Sequence, residues 1–396
     1  MNMKKWISVA CIALIGVAAW AQRVEVRKSG SGKISINLSA FRTGGDTTSK
    51  TFLAVLKADL LRSGYFTLAG SGSELGLSGK CVTHASNIKA DCLLYKTGTR
   101  QRLLGKSFQA PTSGTRKLAH RVADAIILAA TGKKGMASGQ IALVGNHTGR
   151  KELYICDMDG KNLRQITKDR SVVVGPNWTP DGKRLVYTSY KHGYPNVYLT
   201  GRTRPIASYG GLNANAAISP DGSTMALILS KDGNPELYTK NLRTGKLRRL
   251  TRTQQGNEAS PTWSPNGRQI AFVSDAGGSP QIYLISSTGG HPRRLATMGS
   301  ESVAPEWGKN GTIVFSSRIA GRYRIVLANP TTRTVRQLQL DGADYEDPSW
   351  APDGRHLVCS RTTNHRSSIY LLDTLEDSPV ALLQGSSDWF SPACSP

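Results

Sequence analysis

The sequence predicts a small N-terminal α/β domain followed by an all-β six-bladed β-propeller that is closed by its C-terminal strand. Three observations lead there. One short segment recurs six times through the last two-thirds of the 396 residues, with its middle position at 178, 218, 263, 307, 350 and 394. The copies are 40 to 45 residues apart. The sixth copy is the last segment of the sequence, while the first unit lacks one at its start. A fixed period of this size marks a propeller with one four-stranded blade per repeat.

Within each copy the residue types explain themselves. Pro176, Trp178, Pro180, Asp181 and Gly182 set the pattern, and Pro348, Trp350, Pro352, Asp353 and Gly354 repeat it. Pro-Asp-Gly is a turn: proline presets φ, aspartate caps with its side chain and glycine accepts positive φ. The tryptophan two residues earlier is large enough to fill the space between neighbouring sheets, and is read as architecture. Between copies the pattern has period 2, as in Ile270–Ser274, Gln281–Ile285 and Arg293–Leu295, which reads as strands. Residues 139–167 carry only the later parts of a unit, so Ser391–Pro396 is expected to supply the missing inner strand of blade 1. Arginines at 164, 248, 249, 293, 294 and 336 fall on the outermost strands, where positive charge blunts an open edge.

Residues 1–21 read as a secretory signal peptide. Lys4 and Lys5 precede an apolar stretch from Trp6 to Ala18, and Ala19-Trp20-Ala21 fits a cleavage site between Ala21 and Gln22. Its removal takes the formal charge from +24 to +22. The basic residues are spread along the chain without a nucleic-acid-binding signature, so nucleic acid is not an expected partner. An odd number of mature cysteines argues against a full disulfide framework. Cys359 and Cys394 are read as free and buried. Cys81 and Cys92 flank a hairpin placed at Ser86-Asn87 and are left either paired or free.

Residues 22–133 form the expected N-terminal domain. Val24–Val26, Ile34–Leu38, Tyr65–Leu68, two stretches within Cys81–Tyr95, and Arg102–Phe108 read as strands. Ser49–Arg62 and Thr115–Ala130 read as amphipathic helices, ended by Gly64 and Gly132. Residues 134–139 read as a short hinge-like linker, and 140–396 as the propeller. No nucleophile elbow, P-loop or His-Glu-x-x-His motif occurs. Asp157, Asp159 and Asn162 sit in a turn whose glycine comes too early for a calcium loop. No catalytic residue, cofactor or metal is therefore expected.

A signal peptide, a domain of about a hundred residues and six Pro-x-Trp-Ser-Pro-Asp-Gly-like repeats together resemble the TolB family, the periplasmic propellers of the Tol–Pal system. Phe52–Phe66 is similar to the family's first helix and following strand. Asp124-Ala-Ile, with Thr131-Gly-Lys-Lys-Gly135, resembles its second helix and entry to blade 1. Ser391-Pro-Ala-Cys394-Ser-Pro396 resembles its ending, with Cys in place of Trp. The resemblance implies a binding protein and not an enzyme, a monomeric scaffold that supports outer-membrane integrity and invagination at division. It implies a Pal-like lipoprotein as partner on the propeller and a TolA-like inner-membrane protein on the N-terminal segment Val24, Glu25, Val26 and Arg27. The Pal-facing surface would be the loops before each inner strand, holding Arg170, Asn213, Asn257, Glu258, Glu301, Tyr345, Glu346, Asp388 and Trp389. Glu258, Glu301, Glu346 and Asp388 would then form one acidic rim. The competing readings are an exported propeller that binds glycan or another surface protein, and a non-catalytic relative of propeller hydrolases.

Overall fold

A computed structural model describes residues 32–375 and 378–396. The expected strand Val24–Val26, the segment Val24–Arg27 and the cleavage site at Ala21 and Gln22 lie outside the described residues.

Among the described residues the N-terminal domain is a six-stranded mixed sheet packed on two helices. Strands β1 (Ile34–Asn37), β2 (Phe41–Thr43), β3 (Phe66–Leu68), β4 (Leu75–His84), β5 (Asn87–Lys96) and β6 (Arg102–Pro111) form it, in the order β3-β1-β4-β5-β6 with β2 beside β4. β1 runs parallel to β3 and β4, and β4, β5 and β6 are antiparallel. Helix α1 (Thr47–Arg62) starts two residues before the predicted Ser49, because the Asp46 carboxylate accepts the Ser49 N–H at 2.9 Å and caps the first turn. Helix α2 (Thr115–Thr131) ends at Gly132, whose φ of 69° takes the left-handed cap that glycine adopts without strain. Phe52, Leu56 and Leu60 of α1 meet Leu118, Val122 and Ile126 of α2 over Ile36, Leu77, Ile88 and Leu94 of the sheet, all fully buried. The β4–β5 hairpin turns at Ala85-Ser86, one residue earlier than predicted, with Ala85 at φ 48°. Cys81 pairs across the strands with Ala90 and Cys92 with Gly79. The five described cysteines are buried and free.

The propeller has six blades. Blade 1 has the order Trp389–Cys394, Gln140–Gly145, Glu152–Asp157, Arg164–Gln165. Its inner strand comes from the C-terminus, antiparallel to Gln140–Gly145, so the ring is closed. The inner strands of blades 2 to 6 are Val173–Trp178, Asn213–Ile218, Glu258–Trp263, Ser302–Trp307 and Asp344–Trp350. Blades 3 to 6 each have four antiparallel strands, with the predicted arginines 248, 249, 293, 294 and 336 on the outermost ones. Blade 2 has three strands, and a single bridge between Val197 and Ala207 stands where a fourth would run. The second strand of each blade carries five consecutive buried residues and so is buried on both faces, as strands sandwiched between sheets must be.

The linker between the two units is held in place. The Asp124 carboxylate on α2 accepts the backbone N–H groups of Ala137 and Ser138, each at 2.9 Å. A Cβ at Gly135 would collide with that carboxylate, so this position needs glycine. Met136 is buried against Ile141, Leu143 and Ala351 of the propeller, while Ala137 joins the N-terminal core. The expected hinge is therefore a packed joint.

Candidate functional site

The order of strands fixes two faces of the disk. Loops that enter each inner strand share one face with the turns between second and third strands. The Pro-Asp-Gly turns share the other with the turns between third and fourth strands. The N-terminal domain sits on this second face. Arg116 on α2 reaches Asp157 and Asp159 in a turn of blade 1, and the Arg355 guanidinium of blade 6 donates to the Gly64 carbonyl at 3.3 Å. The mouth bearing the predicted loops is the opposite one, which no other described residues cover.

Six seams join the inner strands around the channel, and each carries a hydrogen bond. The Trp178 indole donates to the Ala393 carbonyl at 2.9 Å, and Asn177 Nδ2 donates to the Ala216 carbonyl at 3.2 Å. The Trp263 indole donates to the Ala217 carbonyl at 3.0 Å. The backbone N–H groups of Trp307, Trp350 and Cys394 donate to the side chains of Thr262, Glu306 and Ser349 at 3.2, 3.1 and 2.9 Å. The residue before the repeat tryptophan is thus the tie to the next blade. Where it is alanine, an indole N–H finds the alanine carbonyl instead.

Just before each tie the inner strand slips register against its neighbour, and the slipped residue has positive φ. Gly175, Asn215, Ser260, Ala304, Asp347 and Ser391 have φ between 45° and 60°. Together with the residues that follow, they line a channel cavity of about 160 Å³. Two carboxylates face it. Burial pushes Glu306 up to about 7, against the pull of its hydrogen bonds to Ser349 and Trp350. Burial also raises Asp347, which accepts the Ser391 hydroxyl at 2.8 Å.

The predicted mouth residues differ in exposure, and Glu301, Glu346 and Asp388 are half-buried. Arg170 and Asn257 are exposed. Asn213, Glu258, Tyr345 and Trp389 are buried, with at most 5% of their surface accessible, so they shape the loops and offer no contact surface. Asn213 closes its own loop through both Tyr209 backbone groups at 2.8 Å. Tyr345 accepts from the Arg361 Nε at 3.1 Å. Trp389 lies edge-on to Tyr154, with centroids 5.2 Å apart. Glu258 accepts the Ser274 hydroxyl at 3.1 Å. Burial, and then the nearby Glu236 charge, push it up to about 7.

No acidic rim forms from the four predicted carboxylates. Glu301 pairs with Arg318 at 3.1 Å and accepts the Tyr323 hydroxyl at 3.0 Å. Asp388 lies 3.5 Å from Arg366 and binds Asn146 and the Ser367 N–H. Glu346 is half-buried, raised to about 6 by burial and then by Asp347 and Asp344. With Glu258 in the core, only Glu301 and Asp388 of the four remain as rim carboxylates paired with a cation, Arg318 and Arg366 respectively. Neighbouring strands supply the cations, a relation that reading single loops does not reveal.

Other buried side chains, absent from the expected set, hold these loops. Glu152, Glu236 and Gln281, each opening a third strand, are buried and bind the next loop. Glu152 accepts the Arg170 N–H at 2.7 Å, Glu236 the Thr253 N–H at 2.7 Å, and Gln281 the Thr297 hydroxyl at 2.8 Å. A signal was present: Glu-Leu-Tyr at 152 and 236, and Gln-Ile-Tyr at 281, place a polar residue at the same phase of three repeats.

At the domain junction His120 is buried between Asp59, 2.6 Å from its Nδ1, and Asp157, 3.7 Å from its Nε2. Burial would lower its pKa, but the bonds to Asp157 and Asp59 outweigh it and raise it to about 9. His120, Asp157 and Asp159 bring donor atoms within 4.8 Å of one another, as a metal site would. The Arg116 guanidinium places a positive charge beside Asp157 and Asp159, so the cluster is an ion-pair node at the junction.

Comparison with known proteins agrees with this architecture. The family described as TolB beta propeller domain matches residues 128–396. A "Protein TolB homolog" from Chlorobium chlorochromatii (strain CaD3) is 29% identical over 280 residues, 62% of this chain and 62% of that protein. A "Tol-Pal system protein TolB" from Desulfosudis oleivorans (strain DSM 6200 / JCM 39069 / Hxd3) is 31% identical over 188 residues, 46% of this chain and 42% of that protein. The chain thus spans about three-fifths and two-fifths of these relatives' lengths. The crystal structure of TolB from Acinetobacter baumannii superposes with a TM-score of 0.82 at 28% identity, covering 95% of this chain and 100% of that one.

Proposed function

The chain belongs to the TolB β-propeller family, and from that premise we propose that it is a periplasmic binding scaffold of the Tol–Pal system. In this reading it links a Pal-like lipoprotein, held at the open mouth of the propeller, to a TolA-like inner-membrane protein that takes the segment from Val24 to Arg27. The link supports outer-membrane integrity and invagination at division. The observation that carries the reading is the match along nearly the whole chain to a TolB structure. The position of the N-terminal domain supports it too, because the described residues leave one propeller mouth uncovered. No helix among the described residues is long and apolar enough to cross a membrane, so attachment to either membrane is assigned to the partners.

Titration calorimetry with the soluble domains of the same organism's peptidoglycan-associated lipoprotein and TolA tests this. Saturable 1:1 binding of each is expected. Loss of the second after deletion of residues 22–27 is also expected, with the first unchanged. Absence of binding to both would overturn the proposal.

A further inference from the structure

Cations on the open mouth are unevenly compensated. In blades 5 and 6, Arg318, Arg322, Arg361 and Arg366 each lie within 3.5 Å of a carboxylate. In blades 1 and 2, Lys151, Lys168 and Arg170 are exposed and have no carboxylate within 4.0 Å among the described residues. The nearby acids are already engaged. Asp169 accepts the Ser189 hydroxyl at 2.6 Å and lies 3.7 Å from Lys191. Glu152 is buried and holds Thr167 and the Arg170 N–H.

These cations share one surface with exposed apolar side chains. The Val173 N–H donates to the Lys151 carbonyl at 3.0 Å, and the Tyr190 N–H to the Val172 carbonyl at 3.0 Å, so three loops lie side by side. Lys151 lies over the Phe390 ring, 5.1 Å from its centroid. Val172 is 42% exposed, and Tyr194, at 75%, is the most exposed large hydrophobic side chain among the described residues. The loops are fixed in advance by these bonds, and Arg170 is held at φ 54°. An exposed tyrosine on a loop hydrogen-bonded to the one that carries uncompensated cations has the composition of a binding hot spot, with charge that speeds encounter.

We propose that this sector of the mouth, around Tyr194, Val172, Lys168 and Arg170, docks an acidic protein segment whose apolar anchor packs against Tyr194. The proposal rests on the mouth being the partner-binding face. It places the contact on blades 1 and 2 and assigns the partner's surface a negative charge.

The test uses the mature protein with two probes: the soluble domain of the same organism's peptidoglycan-associated lipoprotein, and a synthetic glutamate-rich peptide with a central phenylalanine. Variants are Tyr194→Ala, the double reversal Lys168→Glu with Arg170→Glu, and Arg318→Ala as a control in the compensated sector. Tyr194→Ala is expected to weaken binding about tenfold or more, through faster dissociation. The double reversal is expected to slow association about tenfold at low salt, with the difference vanishing at high salt. Arg318→Ala should bind as wild type. Lipoprotein binding that all three variants retain would overturn the docking site while leaving the scaffold proposal standing. If wild type ignores the lipoprotein yet binds the peptide through these residues, the scaffold proposal fails and the surface stands. Binding of neither probe, or of anionic lipid vesicles in their place, would overturn it.

Discussion

Replacing Trp389 with alanine separates a structural role from a contact role. The family resemblance places this residue on the partner-facing loops, but it is 95% buried in the strand that closes the ring. Its ring stacks on His147, 6.4 Å between centroids, and meets Tyr154 edge-on. A Cβ on Gly145 of the neighbouring strand would collide with it, so the site has no slack. Truncating a buried aromatic of this kind costs about 3–5 kcal/mol, because the transfer loss and the cavity add. In a domain the size of this propeller, each kcal/mol shifts the melting temperature by roughly 2–4 °C. A drop of about 6–20 °C is therefore expected in the propeller transition, read by scanning calorimetry. Affinity for the lipoprotein domain, measured well below the melt, should change less than about threefold, since the ring reaches no partner. A melting temperature within about 2 °C of wild type, with affinity lost, would refute this reasoning and return Trp389 to the contact surface.

Three further outcomes follow from other groups. Glu258 has its pKa raised from 4.5 to about 7 in the fold. The stability it contributes is full below about pH 4.5 and is lost as pH rises through 7. Glu258→Gln should then raise stability at pH 8 by on the order of 1–3 kcal/mol, read by urea denaturation from pH 4 to 8; a fall at pH 8 would contradict it. His120, raised to about 9, holds the domain junction in its protonated form. That contribution is full below about 6.5 and lost as pH rises through 9. Hydrogen exchange in α2 and the blade 1 turn should rise between pH 7 and 10 beyond the intrinsic rate, and His120→Gln should remove the rise. Thr262→Val deletes one seam tie, where the Trp307 N–H donates at 3.2 Å. A loss of about 1–3 kcal/mol is expected in chemical denaturation, and no loss would show that water replaces the tie.

The fold was legible in the sequence because its information is local and repeated. The spacing of Pro-x-Trp segments, the period-2 strands and the Pro-Asp-Gly turns determined six blades. The displaced last copy at Ser391–Pro396 determined closure by the C-terminal strand, observed against Gln140–Gly145. Helix α2 was legible through its apolar face and Gly132, and the start of α1 was missed because Asp46 was not read as its cap. Only the tertiary structure decided which loop residues face solvent. Glu258 and Glu301 occupy nearly the same repeat phase, yet one enters the core beside Ser274 and the other meets Arg318 from the next strand. Charge compensation, the seam ties such as Trp350 to Glu306, and the pinning of Asp157 by His120 join residues far apart in the chain. Burial and Coulomb energy depend on distances in space, and a repeat pattern fixes the strand on which a residue lies without fixing the group it meets across the next one.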